Sequence, residues 1–206
     1  MHSSLAQNAV LLFDYDGVLA DTEPLHWAAW QKMLAPFGID LNWERYSQHC
    51  RGVTDVNMRD VLGNLFGPTV CLPDLSPYLG ARRRQVFEWS LRKFPIPAET
   101  IDMLRRLADR RLGLVTSAER EDIEPILLHA NIQNCFEVCV FGGDVERKKP
   151  APDPYLMIAS RMRTFAGIAF EDSDSGMISA REAGFCAVRI SQPADLPMVV
   201  AKIIEG

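Results

Sequence analysis

Polar side chains follow three apolar runs of the sequence, at the points where these runs end. They are Asp14 after residues 9–13, Thr116 after residues 112–115, and Glu171 with Asp172 after residues 167–170. Short apolar runs of this kind are typical of buried parallel strands. Since the carboxyl ends of parallel strands meet at one edge of a sheet, we expect these side chains to lie together there. Lys149 follows a fourth apolar run, which ends at Phe141, and we expect it on the same side.

Several carboxylates at one sheet edge indicate a divalent cation and phosphate chemistry. Crowded carboxylates repel one another unless a cation lies among them, and hard oxygen ligands select Mg²⁺, which favours substrate phosphates as co-ligands. A carboxylate beside such an ion can attack phosphorus as a nucleophile. Asp16, two residues after Asp14, can then face the leaving group as a general acid. Thr116 and Lys149 can hold the transferred oxygens, because phosphoryl transfer depends mainly on positioning and charge neutralisation.

Four segments resemble, in the same order, the four motifs of the haloacid dehalogenase superfamily. They are residues 14–23 (DYDGVLADTE), 115–117 (VTS), 148–153 (KKPAPD) and 170–176 (FEDSDSG). Each motif alone is weak, since an Asp-x-Asp pair also occurs in sugar transferases, but four in order are specific and cover almost the whole chain. The long helical segment after the first motif resembles the helical cap of the phosphoglycolate phosphatase and β-phosphoglucomutase branch.

The resemblance implies a catalytic role for each matching residue. Asp14 would be the nucleophile, and Asp16 would be the general acid and base. Thr116 and the main-chain amide of Ser117 would bind the phosphoryl group. Lys149 would neutralise the charge of the nucleophile and of the phosphate.

The resemblance also implies Mg²⁺ as the cofactor. Asp14, Asp172 and the main-chain carbonyl of Asp16 would be its ligands, and Glu171 would be either a ligand or a group that acts through water. A simpler interpretation is open for some of these residues, because Asp172 and Thr116 could each cap the helix that follows.

Asp16 favours a phosphatase over a dehalogenase, because in the dehalogenase branch this acid is replaced, a halide leaving group needing no proton. The resemblance therefore implies a Mg²⁺-dependent phosphatase that hydrolyses a small phosphorylated metabolite through an aspartyl-phosphate intermediate. Its substrate would be of the sugar phosphate or phosphoglycolate type. The alternatives are phosphoryl transfer like that of β-phosphoglucomutase, and a non-enzymatic scaffold that has kept the fold.

Three residues of the helical segment are candidates for substrate binding. By resemblance, His26 lies on the first cap helix at a position that faces the site in sugar-phosphate relatives, and Arg51 and Thr54 lie in the loop that sets specificity. A partly buried histidine and a surface salt bridge of Arg51 are equally good interpretations. β-Phosphoglucomutases carry an arginine beyond the Gly-Val-Ser of this loop, for the phosphate that is not transferred. Asp55 occupies that place here, and a carboxylate there would repel a second phosphate, which favours a monophosphate.

The alternation of strand-like runs with helical patterns predicts an α/β fold, with a Rossmann-like parallel sheet and helices on both faces. About 95 residues separate Asp16 from the second strand at Leu112, far more than a crossover needs, and their pattern is helical. We therefore predict a catalytic core of residues 1–20 and 96–206, with an inserted helical cap domain over residues 21–95.

Composition excludes several classes of partner. With 22 Lys+Arg against 27 Asp+Glu, the net charge is -5, which argues against nucleic acid; we interpret the basic run of residues 82–84 as a solvated helix face. No apolar run approaches the roughly 20 residues of a membrane-spanning helix, and the first residues lack the basic region of a signal peptide. Five cysteines without CxxC spacing favour reduced thiols. We expect a cytoplasmic monomer or weak homodimer.

Overall fold

The computed structural model describes residues 9–53, 55, 57–67 and 72–205, and the chain divides into two compact units. A sheet unit takes the described residues up to Asp21 and from Pro95 onward, and a helical unit takes those from Thr22 to Phe94. These boundaries differ by one residue from those expected from the sequence. The Asp21 amide donates a hydrogen bond to the Pro95 carbonyl at 2.8 Å. The chain therefore leaves the sheet unit and returns to it at neighbouring positions.

The strands and helices alternate in the order that a parallel α/β fold requires. In chain order they are β1 (Val10–Phe13), α1 (Glu23–Leu34), α2 (Trp43–His49), α3 (Met58–Phe66), α4 (Ser76–Arg92), α5 (Ala98–Arg106), β2 (Leu112–Val115), α6 (Arg120–His129), β3 (Val138–Val140), α7 (Asp153–Met162), β4 (Gly167–Glu171), α8 (Asp174–Glu182), β5 (Cys186–Arg189) and α9 (Leu196–Glu205). No helix in the described ranges is both long and apolar enough to cross a lipid bilayer.

The sheet has the strand order β3-β2-β1-β4-β5, and all of its pairs are parallel. This confirms the predicted α/β fold. The central strand β1 is buried along its whole length, which is why its sequence is continuously apolar rather than alternating. Helix α7 packs on one face of the sheet through Tyr155, Ile158 and Met162, in one core cluster with Leu12 and Val115.

The helical unit has a core of its own, built mainly from α1, α3 and the loop between α1 and α2. Trp30, Leu34, Leu41 and Leu62 are almost completely buried in it. Pro24 lies in the first turn of α1, where its missing amide proton costs no helical hydrogen bond.

The interpretation of residues 82–84 as a solvated helix face was wrong for Arg82. Arg82 is only 6% exposed, and its guanidinium carbon lies 4.4 Å from the centre of the Trp30 ring. The buried face of α4 repeats every four residues at Arg82, Val86 and Ser90, so helical geometry turns this arginine inward. Arg83 and Arg84 are exposed, as expected.

Candidate active site

The parallel register brings the ends of three strands to one level. Phe13 pairs with Leu114 on one side and with Phe170 on the other. Asp14, directly after Phe13, therefore lies between the ends of β2 and β4. Glu171 is the last residue of β4 rather than the residue after it, because its backbone pairs with Arg189 of β5.

Three carboxylates converge at this edge. Asp14, Glu171 and Asp172 each place one carboxylate oxygen within 4.8 Å of the others. Asp14 and Glu171 are buried, and Asp172 is half-buried. Burial in a medium of low polarity disfavours a charged carboxylate, and like charges at this distance disfavour it further. Such a group requires positive charge nearby.

Lys149 supplies part of that positive charge. Its Nζ lies 2.9 Å from Asp14 Oδ1 and 2.6 Å from Glu171 Oε1, and it donates to the Val115 carbonyl at 2.8 Å. The side chain is 5% exposed. Burial alone would lower the pKa of this ammonium, but the charges of Asp14 and Glu171 outweigh burial and raise it. Lys149 is therefore charged at any physiological pH.

One ammonium does not balance the carboxylates. Burial, followed by the charge of Glu171, raises the pKa of Asp14 well above its usual range in spite of Lys149, and Asp172 and Asp16 add to the rise. Glu171 Oε2 is buried and has no hydrogen-bond partner among the described residues. These oxygen donors, with their excess of negative charge, fit a hard divalent cation such as Mg²⁺.

A tight turn after β1 packs against Asp172. The Gly17 amide donates to the Ala20 carbonyl at 2.9 Å, and Gly17 has a φ of 73°, which favours glycine. Any side chain at this position would overlap the Asp172 carboxylate. The turn therefore packs Gly17 directly against the Asp172 carboxylate, and Asp16, the residue before Gly17, is half-buried.

Thr116 follows β2 at the same edge and is 2% exposed. Its amide donates to the Val140 carbonyl at 3.0 Å, and its Oγ1 accepts from the Ala118 amide at 3.1 Å. The helix that follows has Glu119 as its N-cap, so Thr116 does not cap it. Ser117 is exposed. Asp172 is not a cap either, since Ser173 caps α8 by accepting from the Gly176 amide at 3.1 Å.

Sequence reasoning missed Tyr155 as a polar member of this site. It predicted only that Tyr155 belongs to the apolar face of a helix. The Tyr155 hydroxyl donates to Glu171 Oε1 at 2.5 Å, and Lys149 Nζ lies 5.5 Å from the centre of its ring. The available signal was chemical, because a buried tyrosine hydroxyl usually has a hydrogen-bond partner.

Arg189 is the second residue that was missed. From the end of β5 it donates to the main-chain carbonyl of Asp172 at 2.5 Å and forms an ion pair with Asp174. It thereby ties down the loop that carries Asp172. Its place at a strand end was visible in the sequence, but its partner was not.

The candidate substrate-binding residues belong to the helical unit. Arg82 contacts His26 at 3.3 Å, from Nη1 to Nδ1, and pairs with Asp55. Arg83 Nε lies 3.4 Å from the other carboxylate oxygen of Asp55. Arg51 is exposed. Thr54 lies outside the described residues, so its predicted role stays a prediction.

Comparison with known proteins shows that the sequence similarity to one hydrolase family covers most of the chain, and is not confined to the residues of this site. The sequence model of the haloacid dehalogenase-like hydrolase family matches residues 11–190. The chain is 29% identical over 194 residues to the fructose-1-phosphate phosphatase YqaB of Escherichia coli (strain K12), covering 88% of this chain and 96% of that protein. It is 28% identical over 176 residues to a phosphorylated carbohydrates phosphatase of Thermotoga maritima, covering 84% of this chain and 81% of that protein. A β-phosphoglucomutase structure from Clostridium difficile shares the fold, with a TM-score of 0.73, 18% identity and coverage of 96% of this chain and 97% of that one.

Proposed function

Because the chain belongs to the haloacid dehalogenase-like hydrolase family, we propose that it is a Mg²⁺-dependent phosphatase that hydrolyses a small phosphate monoester through an aspartyl-phosphate intermediate. The observation that carries this proposal is the buried contact between Asp14 and Lys149 beside Glu171 and Asp172. The names of two relatives, both phosphatases of sugar or carbohydrate phosphates, support sugar phosphates as the substrate class. Phosphoglycolate is the second class to test.

The reaction has two halves, and Asp14 and Asp16 act in both. A carboxylate oxygen of Asp14 attacks phosphorus, the bond from phosphorus to the ester oxygen breaks, and Asp16 gives its proton to the departing oxygen, so that an alcohol leaves. Asp16 then takes a proton from a water molecule that attacks phosphorus, the bond from Asp14 to phosphorus breaks, and inorganic phosphate leaves. Lys149 offsets the charge of the nucleophile and phosphoryl group, while the Thr116 hydroxyl and Ser117 amide hold phosphoryl oxygens.

The residues that would hold Mg²⁺ are Asp14, Asp172, the main-chain carbonyl of Asp16 and Glu171. When bound, the ion supplies charge neutralisation at the phosphoryl oxygens. Glu171 Oε2, buried and without a hydrogen-bond partner in the described part of the chain, and the raised pKa of Asp14 support a cation here.

The experiment that tests the function is phosphate release from a panel of fructose 1-phosphate, glucose 6-phosphate, phosphoglycolate and p-nitrophenyl phosphate. We expect hydrolysis of at least one ester with Mg²⁺ and its loss in excess EDTA, restored by added Mg²⁺, because the carboxylates then lack their counter-charge. Hydrolysis that continues unchanged in EDTA contradicts the metal dependence. Release of phosphate from none of the four esters contradicts the proposed phosphatase activity. Conversion of β-glucose 1-phosphate to glucose 6-phosphate, with a bisphosphate primer, would favour the mutase instead.

We further propose that the helical unit contacts the part of the substrate that does not react, through His26, Arg51 and Thr54. Asp55 supports a monophosphate over a bisphosphate. It pairs with both Arg82 and Arg83, so a negative charge of the protein already offsets part of the positive charge of these two arginines.

Asp55→Asn tests this preference. The amide keeps an acceptor for Arg82 but loses the negative charge, so that the positive charge of the two arginines is no longer offset and would favour a second phosphate. We expect the ratio of kcat/KM for fructose 1,6-bisphosphate to that for fructose 1-phosphate to rise about 2- to 5-fold, the scale of a partly exposed charge pair. The control is Asp60→Asn, an exposed aspartate of α3, which should leave the ratio unchanged. An equal kcat/KM ratio in wild type and Asp55→Asn would show that Asp55 does not select monophosphates over bisphosphates.

A cytoplasmic location is part of the proposal as well. Cys50, Cys135, Cys139 and Cys186 are free thiols in the structure, which supports a reducing compartment. Cys71 lies outside the described residues.

A further inference from the structure

We propose that Tyr155 is a positioning residue that sets the Glu171 carboxylate for cation binding. The inference rests on the proposed function, in which Glu171 belongs to the Mg²⁺ site. It assigns to a residue of α7 a part in metal affinity, although that residue itself would not contact the ion or the substrate.

The two oxygens of Glu171 have different surroundings. Oε1 accepts from the Tyr155 hydroxyl at 2.5 Å and lies 2.6 Å from Lys149 Nζ. Oε2 is buried without a hydrogen-bond partner among the described residues. Burying a carboxylate oxygen without a hydrogen-bond partner costs free energy. We therefore expect Oε2 to bind the cation, or a water molecule that is itself bound to the cation.

The carboxylate is held from two sides. On one side, Gly176 lies so close to Oε2 that any side chain at this position would overlap the Glu171 carboxylate. On the other side, the Tyr155 hydroxyl fixes Oε1. Without that hydroxyl, Lys149 would be the remaining donor to Oε1 in the described part of the chain, and the carboxylate could rotate toward the ammonium and away from the position that Asp14 and Asp172 share with it.

Packing alone does not account for the hydroxyl. The Tyr155 ring is completely buried in the core cluster and lies 5.8 Å from the Phe185 ring, an environment that a phenylalanine would fill equally well. A hydroxyl placed there must be removed from water, and within the described ranges its hydrogen bond goes to Glu171. This selective contact is what a residue that orients a metal ligand requires.

Tyr155→Phe is the decisive variant. Loss of a group that orients a ligand typically weakens metal affinity about 10- to 100-fold, and we expect the Kd for the metal to rise by that factor. At saturating metal, KM for the phosphate ester should stay within about 2-fold of wild type, because the ester is bound by other residues. The Kd is measured without substrate, by electron paramagnetic resonance of free Mn²⁺ and by competition with Mg²⁺.

Tyr46→Phe is the matched control. Tyr46 is also buried, and its hydroxyl donates to the Glu23 carboxylate at 2.8 Å in the helical unit. Both variants therefore lose one tyrosine–carboxylate hydrogen bond, and both should lower the melting temperature by a few degrees. Only Tyr155→Phe should weaken Mn²⁺ binding. An unchanged Kd in folded Tyr155→Phe overturns the inference.

A double-mutant cycle with Glu171→Gln identifies the route of the effect. If Tyr155 acts through Glu171, adding Tyr155→Phe to Glu171→Gln should change the Kd less than about 2-fold. Independent, additive losses would contradict the inference while leaving the phosphatase intact. A Tyr155→Phe protein that does not fold would also contradict it, except where the Tyr155→Phe/Glu171→Gln protein folds and shows the expected Kd. A wild-type protein that binds no Mn²⁺ and hydrolyses no ester contradicts the proposed function itself.

Discussion

Asp14→Asn is expected to abolish phosphate ester hydrolysis while leaving the protein folded. The amide has nearly the same shape as the carboxylate but cannot attack phosphorus, and removal of a nucleophile lowers kcat by about 10⁴- to 10⁶-fold in comparable enzymes. Burial, followed by the repulsion of Glu171, destabilises the charged form of Asp14 and raises its pKa well above the usual range. The neutral amide removes that repulsion, so the melting temperature in EDTA should not fall. Phosphate release and thermal denaturation of the same preparation measure both quantities.

Asp153→Asn is the control for this experiment. Asp153 Oδ1 lies 2.8 Å from Arg147 Nη2 on the surface of the sheet unit, and such pairs contribute about 0–1 kcal/mol to the free energy of unfolding. Its kcat should match that of wild type. Turnover by Asp14→Asn within 10-fold of wild type would show that another group attacks phosphorus.

Formation of the covalent intermediate can be observed directly. Brief reaction with a ³²P-labelled ester, followed by an acid quench, should leave label on wild-type protein and none on Asp14→Asn. Labelling of the variant would place the phosphoryl group on another residue.

The sheet edge was predictable because two simple regularities act together. Buried parallel strands are continuously apolar, and their carboxyl ends lie on one side of the sheet. These two facts placed Asp14 beside Glu171 and Asp172, which lie more than 150 residues further along the chain. In the structure, Phe13 pairs with Leu114 and with Phe170, so Asp14 lies level with the ends of β2 and β4. The sequence alone could not tell whether Glu171 ends β4 or follows it.

Tyr155 and Arg82 show where this reasoning stops. Helical spacing indicates which side chains face inward, and it placed Tyr155 correctly in a core. It does not indicate which polar atom the buried hydroxyl meets, because that depends on how α7 approaches the end of β4. For Arg82, a run of three arginines suggested solvent, but the partner that allows its burial, Asp55, lies 27 residues away.

The substrate-binding predictions rest on a different kind of evidence. His26 and Arg51 were selected by resemblance to relatives, and spacing alone gives no reason to prefer them over other polar residues of the helical unit. The contact of His26 with Arg82 shows that the histidine has a charged neighbour. Its role toward a substrate stays a prediction, because sequence patterns determine which faces are buried and do not determine which small molecule a unit contacts.

Lys149→Met is expected to reduce both activity and stability, and the two losses should respond differently to Mg²⁺. The methionine keeps the apolar stem but removes the ammonium that contacts Asp14, Glu171 and the Val115 carbonyl. Removal of one preorganised group that stabilises the transition state lowers kcat about 10²- to 10³-fold. Loss of one partner of a buried ion pair lowers the free energy of unfolding by about 3–5 kcal/mol.

Mg²⁺ should restore part of the stability of Lys149→Met but little of its activity. In EDTA, the variant leaves Asp14 and Glu171 without the ammonium that contacts them, so the full loss in the free energy of unfolding should appear. A bound cation offsets part of that repulsion, and saturating Mg²⁺ should therefore stabilise the variant more than wild type. It cannot replace an ammonium that holds both the nucleophile and the β2 backbone, so kcat should stay low. Urea denaturation with and without Mg²⁺, together with kcat at saturating ester, separates these effects.

The adjacent lysine provides the control that makes this test specific. Lys148 has a side chain that is 45% exposed, and its Nζ lies 2.8 Å from Glu119. Lys148→Met removes the same charge one residue earlier in the chain, and it should change the free energy of unfolding by no more than about 1 kcal/mol and leave kcat near that of wild type. Equal effects of the two substitutions would mean that positive charge near this edge acts only at long range, in which case added salt should reduce both. A loss confined to Lys149, and insensitive to salt, requires the buried contact with Asp14 and Glu171.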